Sequence, residues 1–488
     1  MFTQSFHGVL GRTISLWLVI HTLSLAGWAA YGGGSGTPED PYLIFTAAQL
    51  NAIGEQPGDW GGHFKLMADI DLSGYRQSQF HRIGTPEDGP FTGTFDGNYR
   101  TISNFQWSSE WSRYVGLFGL VEGEQASITN VTLVNPSVTT EMGAYVAALA
   151  GLVRTATITN CHVRSGTVSG DNCVGGLVGR REGGTTADCT VSATVRGSSR
   201  VGGLVGRCYW GLTERCSVTG QVTESPESEC WSAGGLIGES QNGSVTNSQA
   251  RCTVKASRDV GGLIGLNVES PVRSCCADGE VSGVQNVGGL IGQNGSGTIS
   301  DCYSLCAVTG TISAGGLAGV NAPECDCTWA TGGVIERCYA AGLVTGASGA
   351  AGLVAVNKES FVNSSFWDTQ ATGCDHSAGG SAATSRQMQT ASTYLSAGWD
   401  FTEEKQNGTQ DTWRAPAPGS YPRLAWQAAA GDINGDYNVD FRDFATLATQ
   451  WRRIDSGFWS RGTFMAADGV IDFDDLGTLA HAWLATGK

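Results

Sequence analysis

Proline is scarce, 12 in 488 residues, and positive charge is short: 29 Lys and Arg stand against 45 Asp and Glu, a formal net charge of −16. That deficit excludes a broad field for a phosphate backbone, so nucleic acid is not an expected partner. Charged residues make up only 15% of the chain and hydrophobic ones 41%, which excludes a disordered body. Past residue 29 no apolar run is long enough to cross a bilayer, so no transmembrane span is expected in the mature chain. No glycine-rich block is followed by Gly-Lys-Ser/Thr, which removes phosphate loops. His63, His81, His162, His376 and His481 show no metal-ligand spacing.

What is abundant is glycine, 71 residues without a collagen triplet, and cysteine, 15 residues. The first 29 residues carry Arg12, an apolar run over 14–20, and small Gly27 and Ala29. This pattern predicts a signal peptide over 1–29. A membrane anchor is the alternative, disfavoured because His21 and Gly27 interrupt the stretch. The mature protein is expected to be extracellular, secreted or associated with the cell surface.

A Gly-Leu-(Val/Ile)-Gly block recurs with its leucine at Leu117, Leu152, Leu177, Leu204, Leu236, Leu263, Leu290, Leu317 and Leu353. The step is 27 residues from Leu177 to Leu204 and again from Leu236 to Leu317; other steps run from 25 to 36. Downstream of each leucine, small or apolar residues alternate with polar ones, as in Cys189, Val191, Ala193 and Val195, or Cys216, Val218, Gly220 and Val222. A period of 2 means strands. Twenty-seven residues of strand cannot bury their own apolar face, whereas stacked coils pile equivalent side chains into ladders. The expected fold is mainly β: a right-handed β-helix, or β-solenoid, of about nine coils with end caps, roughly 40 Å long at the spacing of paired strands. Of Leu204 and Val205, which one points inward stays open.

The stacking also accounts for cysteines. Cys161, Cys189, Cys216, Cys275, Cys302 and Cys338 share one repeat position, filled elsewhere by Ser248 and Ser364; Cys252 and Cys306 share another. They are expected as small buried hydrophobes rather than disulfides. Cys208, Cys230, Cys325, Cys327 and Cys374 fall in loops or flanks and are free to pair. Asp188 and Asp301 occupy a position that Asn160, Arg215, Asn247, Ser274, Arg337 and Asn363 fill in other copies, which marks a coil corner rather than an acid site. Asp171 and Asp259 are assigned to inter-strand turns. No catalytic residue is assigned. Trp107, Trp111, Trp210, Trp231 and Trp329 either cap the coil interior or offer faces for stacking on sugars.

The block, followed by Asn160-Cys161, Asp301-Cys302-Tyr303-Ser304 or Arg337-Cys338-Tyr339-Ala340, resembles the GLUG-motif repeats of bacterial secreted and surface proteins over roughly 115–368. Residues 34–44 and 91–98 look like the segment that often precedes such repeats, an N-terminal β cap over 30–114. Residues 366–368 and 413–426 look like the matching cap, with a linker, over 369–427. The resemblance implies an extracellular scaffold.

Over 428–488 the character changes. In a twelve-residue loop, Asp432, Asn434, Asp436, Asp440 and Asp443 fall at positions 1, 3, 5, 9 and 12, with the Asn438 carbonyl at 7. Calcium needs six to eight hard oxygens, and this spacing supplies them from one short segment. Tyr437 stands where the sharp turn ordinarily takes Gly. Thirty-two residues on, Asp468, Asp472 and Asp475 echo Asp436, Asp440 and Asp443, while Phe464 and Ala466 replace two ligands, so the second loop is degenerate. Each loop precedes a helical apolar pattern, Phe444, Leu447 and Trp451 against Leu476, Leu479 and Trp483. This duplicated loop-helix resembles a type I dockerin domain, which implies Ca2+ as cofactor and a cohesin-like module as partner, in a polysaccharide-handling setting.

The expected function is that of a secreted, non-catalytic binding or scaffold protein docking through its calcium-dependent tail, with polysaccharide as a possible ligand. Two alternatives stay open: a β-helix polysaccharide lyase or glycoside hydrolase, which needs carboxylates or basic groups converging on one face, and a cell-surface adhesin.

Overall fold

The computed structural model describes residues 30–427, apart from 226–227, 324–331, 347 and 403. The expected signal segment, 1–29, and both expected calcium loops lie outside the described residues. The fold is a mainly β solenoid of about ten turns with few helices. Its strands form one long sheet, two nine-stranded sheets and a small antiparallel pair, Trp413–Arg414 with Arg423–Leu424, and successive coils pair in parallel. The second sheet runs from Arg113–Val115 to Ala350–Ala351, and the third from Phe118–Glu122 to Val354–Asn357. One coil shows the path. Asn172–Gly175 lies in the second sheet and Val178–Glu182 in the third; Thr185–Ala187 and Thr190–Gly197 return through the long sheet.

The period-2 pattern forms these strands because alternate residues stack inward. Val138, Val168, Val195, Val222, Val254, Val281, Val308 and Val344 are in register along the long sheet, all at most 5% exposed. Each coil thereby buries its apolar face on its neighbours, at roughly 25 cal/mol per Å2 removed from water. Both Leu204 and Val205 are fully buried, so the repeat block turns into the core with both residues. The second copy of the block leucine is Leu149, not Leu152: Leu149 donates its N–H to the Leu177 carbonyl, whereas Leu152 pairs with Arg180. Ala147 and Ala148 replace the usual glycines and Ala150 the usual Val or Ile, which hid the match.

The cysteine ladder is buried, and the serine that continues it is Ser365, not Ser364. The reason lies in the bend before it. Asn160, Asp188, Arg215, Asn247, Ser274, Asp301, Arg337 and Ser364 all have left-handed backbone, with φ between 46° and 54°. The residue after each bend donates to the carbonyl two residues back: Cys189 to Ala187 at 3.0 Å, Ser248 to Thr246 at 2.8 Å, Cys302 to Ser300 at 3.0 Å, Ser365 to Asn363 at 2.8 Å. A small side chain with one S–H or O–H donor fits that place, which is why Cys and Ser interchange. Ser364, rather than Asn363, therefore occupies the corner row. Cys208 and Cys230 are fully buried, Cys208 within the strand Val205–Tyr209, and no described cysteine is in a disulfide.

Both ends are plugged. At the first coils Phe64, Phe80, Phe91, Phe95, Phe105 and Phe118 pack ring against ring, beside the helix Ala47–Glu55, whose Thr46 and Gln49 form a capping box. At the last coil Gly352 donates to the His376 carbonyl and Ala378 to that of Val354. Beyond this plug the chain turns back along the outside of the long sheet. Trp413 Nε1 donates to Asp301, Trp426 Nε1 to the Ser274 carbonyl, and the Tyr339 hydroxyl to the Pro422 carbonyl. This segment braces the side of the solenoid as well as its end.

Candidate functional site along the glycine seam

Second and third sheets meet at the Gly-Leu block, and there the backbones nearly touch. A Cβ at Gly206 would lie 2.5 Å from the Cys173 carbonyl carbon, and one at Gly238 would lie 2.6 Å from that of Arg200. Only glycine permits this approach. Each block is bracketed by two residues seven apart in sequence, Cys173 and Arg180, Arg200 and Arg207, Ser232 and Glu239, Asp259 and Leu266, Asn286 and Gln293, and the approach brings the leading residue of one coil beside the trailing residue of the next, as Arg200 beside Glu239. The leading member of each pair has left-handed backbone, as do Tyr114 and Tyr145 in the preceding coils.

Across the seam the brackets of neighbouring coils bond. Arg180 Nη1 donates to the Tyr145 hydroxyl at 3.1 Å. Glu239, 7% exposed, accepts from Arg200 Nε at 2.6 Å and from Arg207 Nη2 at 2.7 Å. Asn286 Nδ2 donates to Asp259 Oδ1 at 2.7 Å and to Gln293 Oε1 at 3.2 Å. Rings flank the guanidinium groups: Arg180 lies 5.4 Å from the Tyr145 centroid, Arg207 4.2 Å from that of Tyr209 and Arg258 5.6 Å from that of Trp231.

Two carboxyls on successive coils thus sit in different surroundings. Two arginines pair with Glu239. Asp259 is pushed above the usual carboxylate range by burial, against the pull of the Asn286 bond and of Arg258, 3.6 Å away; the charge of Glu239 adds to the push. Among the described residues no three of His, Cys, Asp and Glu are grouped to hold a metal, and no helix is long and apolar enough to cross a membrane.

The sequence-predicted metal ligands Asp432, Asn434, Asp436, Asn438, Asp440, Asp443, Asp468, Asp472 and Asp475 lie outside the described residues. Asp188 and Asp301 do stand at a coil corner, in bidentate pairs with Arg215 and Arg337. Asp259 does not lie in a turn: it is the second residue of the strand Arg258–Gly261, 7% exposed and aimed at the seam. Of the tryptophans, Trp107 is buried, under Arg82 at 4.4 Å, while Trp111, Trp210 and Trp231 are 59–67% exposed; Trp329 lies outside the described residues. Sequence reasoning missed Arg180, Arg200, Arg207, Glu239 and Asn286. The signal was their fixed place on either side of the repeat block, where polar residues interrupt an otherwise apolar motif.

The chain is therefore a β-solenoid carrying a GLUG motif: residues 170–196, one coil of the seam, match the family described as "The GLUG motif". Over 159 residues it is 37% identical to halomucin of Haloquadratum walsbyi, covering 30% of this chain and 2% of that protein. Over 140 residues it is 35% identical to a "Putative Gly-rich membrane protein" of Evansella cellulosilytica, covering 28% of this chain and 16% of that one. The chain thus spans a small part of either relative. Among solved structures, a "putative immunoglobulin A1 protease" of Bacteroides ovatus aligns over 82% of this chain and 96% of its own, at 19% identity and a TM-score of 0.40.

Proposed function

We propose that this chain is an extracellular or cell-surface binding scaffold whose seam holds a polysaccharide strand along the solenoid axis. The observation that carries the reading is the seam itself, where arginine, carboxyl, amide and aromatic side chains cluster along successive coils on a parallel frame. Planar polar groups that bond hydroxyls, beside rings that stack on sugar faces, are the elements of carbohydrate recognition. The names of the two relatives, a halomucin and a membrane protein, support a surface location. In the tail, Asp432, Asn434, Asp436, the Asn438 carbonyl, Asp440 and Asp443 are the residues to hold Ca2+, and the folded loop-helix pair is the element to dock onto a cohesin-like module.

Two measurements test this. A glycan array with the full chain should give binding without turnover, and retention of a partner from culture medium should be lost on adding a chelator. Silence on the array, or capture indifferent to chelator, overturns the corresponding half. The lyase or hydrolase reading is favoured by one observation, the contrasted carboxyls Glu239 and Asp259. Release of shortened glycans, abolished in Glu239→Gln, would establish it in place of the scaffold.

A further inference from the structure

Three guanidinium groups crowd one short stretch of the seam. Arg180, Arg200 and Arg207 are 17–30% exposed, and two carboxylates serve them, Glu182 for Arg180 and Glu239 for the other two. Glu182 is itself shared with Arg154, whose other partner is Glu122. Four arginines against three glutamates leave local positive charge in a chain whose net charge is −16. The named bonds use only some of the five donors on each guanidinium, and the Nε atoms of Arg180 and Arg207 are buried with no acceptor.

In the left-handed row the large Tyr145 and Arg200 stand on either side of Cys173, whose thiol is 2% exposed and bonds Asn172 Oδ1. Burial pushes this thiol up to about 11, against the opposing pull of Arg200, Arg207 and Arg180; Arg180 and Arg207 lie over the one Tyr209 ring at 5.1 and 4.2 Å, and Arg200 and Arg207 share Glu239. Buried ion pairs add little to stability compared with apolar packing, and Leu120, Leu152 and Leu266 fill equivalent places in other coils, so packing alone does not call for arginine here.

We propose that Arg180, Arg200 and Arg207, converging over Cys173, form a binding site for an acidic substituent, a carboxylate or sulfate, of a polysaccharide lying along the seam. This rests on the proposed function and names the ligand class. Guanidinium forks suit both oxyanions in two-point bonds, and Glu239 acts as the resident counter-ion that holds the forks in place when the ligand is absent. Tyr145 and Tyr209 flank the site and supply ring faces for the sugar.

The test is titration of the full chain with oligogalacturonate, with dextran sulfate and with neutral dextran, for the wild type and for Arg200→Gln, Glu239→Gln and the off-seam control Arg215→Gln. Circular dichroism and the unfolding midpoint confirm folding of each variant. Wild type should prefer an acidic probe, and the preference should fade with salt. The acidic probe that binds, galacturonate or sulfate, assigns the substituent. Arg200→Gln should weaken acidic binding about tenfold, the worth of one charge-assisted bond. Glu239→Gln should tighten it by releasing two forks, and Arg215→Gln should leave it unchanged. Weakening by Glu239→Gln as well as by Arg200→Gln reveals a merely structural cluster and overturns the proposal. Binding of neutral and acidic probes alike, or of the neutral one alone, overturns it while sparing the scaffold reading; binding of no glycan overturns both.

Discussion

Each coil bends through left-handed residues at more than one place, and two of these rows of bends have opposite fates. The corner row, from Asn130 through Asp188 and Arg215 to Ser364, is mostly Asn, Asp and Ser, the residues that tolerate this backbone best, and its partners are its own neighbours one coil away. The seam row, from Tyr114 through Arg200 to Asn286, mixes large Tyr and Arg with small Cys, Ser, Asp and Asn, and Arg200 takes its carboxylate partner from another sheet. The Arg215–Asp188 pair is 49% and 40% exposed; the Arg200–Glu239 pair is 30% and 7% exposed. One backbone conformation thus yields a structural spine where the side chain faces water and its own ladder, and a more buried polar seam where two sheets close over it.

Four experiments sharpen the contrast. The largest effect is expected from Gly206→Val on the seam: a branched side chain has no space against Cys173 and should cost about 3 kcal/mol or more, read from the denaturant midpoint. Glu239→Ala strips the shared partner from two arginines and should cost roughly 2–3 kcal/mol, while Asp188→Ala in the corner row should cost less than about 1 kcal/mol. Equal losses would erase the distinction between the rows. In the cysteine ladder behind the corner row, Cys302→Ser keeps the bond to the Ser300 carbonyl and should cost less than about 1.5 kcal/mol, with Cys302→Ala costing more. Burial holds the Cys302 thiol well above its ordinary range, so it should react with a thiol reagent only on unfolding.

The smallest effect concerns pH. Asp259 is raised in the folded state, so the native chain binds this proton more tightly than the unfolded chain, and the contribution to stability is present at low pH and falls as pH rises through the folded value. Asp259→Asn should therefore stabilise slightly at neutral pH, with the gain vanishing in acid. A gain independent of pH would show that the carboxyl is not the cause.

Much of the architecture was legible because stacking is periodic. Equal offsets in sequence became equal heights in the solenoid, so the strands, the cysteine ladder and the corner position of Asp188 and Asp301 followed from spacing. Slips occurred where a copy departs from consensus, at Leu149 behind its alanines and at Ser365 beside another serine. The seam was not legible in the same way. Arg200 and Glu239 are 39 residues apart and belong to different coils, and nothing local distinguishes Arg200 from a solvated surface charge.

The amino-acid pattern by itself determined that coils stack, because a repeat too short to bury its own apolar face must bury it on the next copy. Which polar residues face one another was decided only by the tertiary structure, since the glycines set how closely the two sheets approach. That distance, not sequence spacing, brings the bracket side chains of neighbouring coils within bonding reach.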